Sequence, residues 1–159
     1  MAFDFSFKAL SGNFFDPDAL KIAVKKAEAR VQSKFGAFVR QRMKTSIKYQ
    51  DGTAPAGRPP FAHRSKGFTK TKTNKKTGAT TRQSRSPLRE LIYFARDPAA
   101  NSVVIGPVLF GPGTASLIER GGTGSVGGRP VRVAPHPFAR PAGEAEAKKL
   151  PDLLRNMVK

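Results

Sequence analysis

Gly122-Thr123-Gly124-Ser125-Val126-Gly127 has the glycine spacing of a dinucleotide-binding turn. In that motif the glycines let the backbone approach a pyrophosphate, and the N-terminus of a following helix holds it. Here Gly128-Arg129-Pro130 follows, and then the strand-like Val131-Arg132-Val133, so Gly121 to Gly128 reads as a glycine-rich loop. The phosphate-loop pattern of glycines closed by Gly-Lys-Ser or Gly-Lys-Thr does not occur. His63 and His136 are the only histidines. A zinc site needs three or four ligands; Glu119 offers itself as a third, but no helical spacing joins it to either. Glu144 and Glu146 stand near the start of the last helical stretch, where they complement its dipole, and no paired carboxylates suit acid–base work. Cysteine is absent, which removes thiol nucleophiles, thiolate metal sites and disulfides together. The expectation is a protein without catalysis, cofactor or metal.

What remains is phosphate chemistry. Arg58, Arg64, Lys66, Lys70, Lys72, Lys75, Lys76, Arg82 and Arg85 fall in a stretch with no acid between Gly52 and Ser86. Aromatics are not interleaved with them; Phe61 and Phe68 only flank the run. Single-strand platforms need aromatic rings for base stacking, and no finger or helical readout signature is present. The stretch suits contact with phosphates without sequence readout. Lys66, Lys70, Lys72, Lys75, Lys76, Arg82 and Arg85 are therefore the candidate contacts to nucleic acid or to an acidic partner.

The elements that must hold this arm follow from periodicity. Phe3, Phe5, Phe7 and Ala9 alternate with polar residues, a half-buried strand. Asp16-Pro17 opens a helix, with Asp as cap and Pro at the first position. It runs to about Ile47, because Leu20, Val24, Ala27, Val31, Phe35, Phe38, Val39, Met43 and Ile47 form one apolar stripe. Gly36 is a weak point within it. At about 1.5 Å per residue such a helix is roughly 45 Å long, more than one small domain covers. Asp51–Pro60 is an irregular connector rich in Gly and Pro.

Within the arm, Thr69-Lys70-Thr71-Lys72-Thr73 alternates, Asn74–Gly78 reads as a turn, and Ala79–Gln83 returns. A folded hairpin and a flexible loop both fit; the hairpin has no apolar face and needs support from neighbours. Ser86–Glu90 makes a helical turn. Leu91–Ala95 and Ser102–Gly106 form a hairpin around Asp97–Asn101, and their apolar runs imply burial on both faces. Ala115–Arg120 is a short helix. A last helix starts near Pro141 and is kinked or restarted at Pro151. The sum is α+β: a small antiparallel sheet, read as a meander, packed by a long N-terminal helix and a C-terminal helix. It makes one domain over 1–159, with the basic arm inserted at about 61–86.

Charge sets the partner class. The chain carries 29 Lys+Arg against 11 Asp+Glu, a net +18, and residues 51–96 hold eleven basic residues against two acids. Such an excess opposes compaction and assembly unless something anionic lies close. Nucleic acid and acidic faces of partner proteins both answer. No run of about 18 apolar residues exists, and the N-terminus lacks the basic and apolar regions of a signal peptide.

Several segments recur in a recognisable order: Gly57-Arg58-Pro59-Pro60-Phe61-Ala62-His63, Pro87–Tyr93, Ser102–Pro107, Ile118-Glu119-Arg120-Gly121-Gly122, and His136-Pro137-Phe138-Ala139-Arg140-Pro141-Ala142. Their order and spacing over residues 17–158 resemble the tail-completion, or neck, family of tailed bacteriophages, including related virion-morphogenesis proteins. The chain departs from that pattern at His136, where the family usually has Arg, and in the length of the Thr/Lys arm. The resemblance implies a non-enzymatic virion protein, assembled in the bacterial cytoplasm, that forms a six- or twelve-fold ring at the head–tail interface. Its implied partners are connector or stopper proteins, tail tube proteins and the double-stranded genome in the lumen. A ring needs one face that meets a different face of the next subunit; Phe35, Phe38, Glu119, Pro137, Phe138 and Arg140 are the candidate interface residues. The alternative is a nonspecific nucleic-acid-binding protein that uses the arm.

Overall fold

Helix α1 spans Pro17–Ser46, 30 residues, in the computed structural model, which describes residues 17–155 other than 109, 112 and 127. The expected strand over residues 3–9 and the Asp16 cap lie outside the described residues. After α1 come strands β1 (Ser65–Thr73) and β2 (Thr80–Arg85), the helical turn α2 (Pro87–Glu90), and strands β3 (Ile92–Asp97) and β4 (Ser102–Pro107). Helix α3 (Thr114–Arg120), strands β5 (Gly122–Val126) and β6 (Arg129–Val133), and helices α4 (Ala139–Ala147) and α5 (Leu150–Arg155) complete the order. The class is α+β.

Among the described residues the β-structure is three separate antiparallel hairpins, β1–β2, β3–β4 and β5–β6. They do not join into the meander that the sequence suggests. Each instead meets helices or loops on its own. The reading of Gly121–Gly128 as a loop is also corrected: Gly122–Val126 pairs residue by residue with Arg129–Val133. Its glycines are there for close approach. A Cβ on Gly124 would stand 2.4 Å from Leu117 Cδ2, and one on Gly121, at φ +72°, 2.8 Å from the Pro135 nitrogen. At Gly121 the opposing atoms are backbone and cannot give way; at Gly124 the Leu117 side chain would have to move.

The core lies against the C-terminal half of α1. Val39, Met43 and Ile47 pack with Ala62, Ile92, Phe138 and Ala142, and Phe35, Tyr49, Leu88, Ile105 and Ile118 border them. These α1 positions are spaced by four, so they fall on one face. Upstream the stripe loses its cover: Val24 is exposed.

Hairpin β3–β4 lies across α1 at Gly36. A Cβ there would come within 2.5 Å of the Phe94 ring and 3.0 Å of Val103 Cγ1. Gly36 is thus the point of closest approach between helix and sheet, and the helix-propensity cost of glycine is the condition of that packing. Gln32 fixes the crossing by donating to the Asn101 backbone oxygen at 3.1 Å and to its side-chain oxygen at 2.6 Å. Burial on both faces of this hairpin is not observed. Ile92, Phe94, Val103 and Ile105 turn inward, while Tyr93 is 49% and Val104 65% exposed. Helix α1 covers one face, and Arg40 reaches from it to the Tyr93 ring on the second.

Filling the crossing tests it. Gly36→Val is expected to lower stability in urea unfolding by about 2–3 kcal/mol through overpacking. Gly36→Ala should cost less, because about 1 kcal/mol of helix propensity is recovered. No change for the valine variant would contradict the crossing.

Candidate functional site

The basic arm is a hairpin. Thr69 to Thr73 pair in register with Ser84 to Thr80, and the pairing shifts between Ser65 and Thr69. The turn is held by Asn74: its backbone N–H donates to Ala79 O at 2.8 Å, and its side chain accepts the Lys76 N–H at 2.9 Å. Alternation along two strands places Lys70, Lys72, Thr81, Gln83 and Arg85 on one face. Thr69, Thr71, Thr73, Thr80, Arg82 and Ser84 occupy the other. Arg82 Nε donates across the strands to Thr69 Oγ1 at 2.7 Å, and Arg85 donates to Gln83 Oε1 at 2.8 Å. The candidate contacts are therefore split. Lys70, Lys72 and Arg85 share a face, Arg82 lies on the reverse, Lys75 and Lys76 sit exposed at the tip, and Lys66 precedes the shift in register.

An isolated two-stranded hairpin is marginal in water, so its root matters. Tyr49 makes that root. The Arg64 and Arg89 guanidinium carbons each lie 5.0 Å from the centre of its ring, cation–π geometry. Its hydroxyl accepts the Ser86 N–H at 3.2 Å, and its backbone bridges to Ala62. The entry to β1 and the exit from β2 are thus pinned to one side chain just beyond α1. Sequence reasoning named Arg64 only as part of the basic run and assigned Tyr49, Arg40, Lys44 and Arg89 no role; nothing in their local spacing marks them.

Beside Tyr49 the cations crowd. Arg40 Nε donates to Ile92 O at 2.6 Å, and Lys44 Nζ to Glu90 O at 3.0 Å. Lys70 Nζ stands 3.9 Å from Glu90 Oε2. Lys44 is held below the ordinary lysine value, first by partial burial and then by the charge of Arg40. Glu90 opposes the shift, and Lys70 and Arg89 add to it. The Nε of Arg85 is buried and has no hydrogen-bond partner among the described residues.

Three of the five segments behind the family resemblance, those with Arg58, Glu119 and His136, meet elsewhere, at the entry to α4. Glu119 turns both carboxylate oxygens onto that helix: Oε2 accepts the N–H groups of Phe138 and Ala139 at 2.9 and 3.0 Å, and Oε1 accepts that of Arg140 at 2.8 Å. It is a cap supplied from another element. His136 donates its backbone N–H to Ile118 O at 2.7 Å and its Nδ1 proton to Arg58 O at 3.0 Å. Gly57 N–H donates to Pro135 O at 2.8 Å. His136 and Glu119 are thereby engaged in structure, and the described residues contain no group of three or more possible metal ligands.

This geometry corrects two interface assignments. Phe138 is 1% exposed; it fills the core and offers nothing to a neighbour. Glu119 spends its carboxylate on the cap. Pro137 and Phe35 are half-buried, with Phe35 packed on the core. Arg140 is exposed and pairs with Glu144 at 2.7 Å. Phe38, 47% exposed, stands at a groove of about 570 Å³ between α1 and the last two helices, lined also by Arg42, Thr45, Glu146 and Leu153.

At that groove Glu146 ties α4 to α1. Burial works to raise its pKa, but hydrogen bonds from Arg42 and Lys149, with their charges, outweigh burial and hold the carboxyl below the usual range.

No family model, curated protein or solved structure matches the chain.

Two variants separate these structural roles. Glu119→Ala is expected to cost about 2 kcal/mol by urea unfolding, from removal of the cap and its stranded donors, and Glu119→Gln to restore part of it. For Glu146 the folded pKa lies below the unfolded one, so its contribution is present above the ordinary carboxylate range and is lost as pH falls through the folded value. Glu146→Gln should therefore lower the melting temperature at pH 7, and the gap to wild type should narrow as the pH falls below the ordinary carboxylate range. A gap independent of pH would contradict the ion pair.

Proposed function

We propose that this chain is a structural subunit of a homo-oligomeric ring at the head–tail junction of a tailed bacteriophage, with no catalytic role. In this reading it joins or terminates the tail, the genome passes through the lumen, and connector and tail tube proteins are its neighbours. The observation that carries it is the pair of unlike apolar faces that the subunit leaves open. One is the stripe of α1 where Val24 and Phe38 are exposed; the other is the outer face of β3–β4, with Tyr93 and Val104. Closed rings form when one face of a subunit meets a different face of the next, and exposed apolar surface marks such contacts. The order of the resembling segments, and the meeting of three of them at the entry to α4, support the same reading. The basic arm supplies the contact to an anionic neighbour.

The arm alone also favours a second reading, a nonspecific nucleic-acid-binding protein of the cell. The two differ in assembly. Native mass spectrometry with negative-stain microscopy is expected to show closed rings of six or twelve copies. Val104→Lys, at an exposed position, should give monomers that keep the secondary structure of wild type by circular dichroism. Wild-type protein that stays monomeric and does not complete tails would overturn the ring and leave the second reading.

A further inference from the structure

We infer that the root of the arm, rather than its tip, is a binding site for the phosphodiester backbone of duplex nucleic acid, formed by Arg40, Lys44, Lys70 and Arg89 with Arg64 and Arg85 at its border. This rests on reading the arm as the polyanion-binding element, and is independent of ring formation.

The residues come from four parts of the chain that the fold brings together: α1, the approach to β1, the hairpin itself and α2. Their charges are fixed before any ligand arrives. Arg40 and Lys44 are held by backbone carbonyls of Ile92 and Glu90, Arg64 and Arg89 by the Tyr49 ring. Carbonyls and rings orient a cation without neutralising it. Glu90 is the one carboxylate paired with this cluster among the described residues, through Lys70 at 3.9 Å. Partial burial and then the neighbouring cations Arg40, Lys70 and Arg89 all press on the charge of Lys44. Arg85 adds a buried donor with no partner among the described residues. Such a site gains from an anion that brings several charges and many acceptor oxygens, as a phosphate backbone does.

The aromatic groups favour a duplex over a single strand. Tyr49 has guanidinium groups at its ring, and Arg40 lies 5.5 Å from the centre of Tyr93. Tyr49, the ring at the centre of the root, is engaged with cations rather than free to stack a base, and single-strand platforms depend on such stacking. The tip differs from the root: Lys75 and Lys76 are exposed on a turn, and no described contact orients their ammonium groups.

Fluorescence anisotropy with a labelled mixed-sequence duplex, over a series of salt concentrations, tests the site. Two charge-matched double variants are compared, Lys70→Gln with Arg89→Gln at the root and Lys75→Gln with Lys76→Gln at the tip. The root pair is expected to weaken binding about tenfold or more and to reduce the salt slope by about 2, roughly one for each phosphate that is no longer neutralised. The tip pair should stay within about threefold. If the root pair melts early, Lys70→Gln with Arg64→Gln replaces it, since both residues are exposed. Equal weakening at root and tip would overturn the site. So would tighter binding of the matching single strand, of polyglutamate, or of anionic phospholipid vesicles. Ring closure of the same variants, read by native mass spectrometry without DNA, separates failure of this site from failure of the ring.

Discussion

A two-stranded hairpin cannot bury enough surface to hold itself together in water, and the described residues of this chain form three, each a separate sheet. Their stability therefore depends on what lies beneath them, above all the C-terminal half of α1. Val39, Met43 and Ile47 receive Ile92 from β3, Phe138 and Ala142 from the α4 region, and Ala62 from the approach to the arm. The core sits at one end of a 30-residue helix; upstream of it β3–β4 crosses at Gly36, and Val24 stays uncovered. The same arrangement that stabilises the subunit leaves it with faces suited to a neighbour.

The charge of the chain is distributed by this frame. Carboxylates are few, and the well-placed ones are used within the fold: Glu119 caps α4 and Glu146 joins α4 to α1. At the arm root the cations meet carbonyls and a tyrosine ring, with Glu90 as the single carboxylate paired there among the described residues. Repulsion within such a cluster is a standing cost to stability. A polyanion relieves it, which couples binding to the stability of the hairpin.

Much of the fold was legible where local periodicity decides it. The stripe from Val24 to Ile47 fixed the long helix almost to its end at Ser46, and the Thr/Lys alternation around Asn74–Gly78 matched the observed hairpin. Other features depend on partners distant in sequence. Glu119 caps residues about twenty positions away, and Phe138 is interior because α1 lies over it. Gly122–Val126 looked like a loop because glycine weakens strand propensity; Leu117 packing on Gly124 explains why glycine stands in a strand there. Gly36 looked like a defect for the same reason, yet Phe94 packs directly against it. For the candidate site, the arm was visible as a run of charge. Its anchor on Tyr49 was not, since two guanidinium groups from separate segments meet that ring only in the folded chain.

The central claim is that an oligomer of this chain presents its arm roots to duplex nucleic acid. Electron cryomicroscopy of the assembled protein with a bound duplex measures this directly. The account predicts a closed ring with the duplex along its axis, and density for phosphates beside Arg40, Lys70 and Arg89 at the base of each hairpin. A ring whose hairpins point outward and away from the duplex, or a duplex held without any ring, would contradict it.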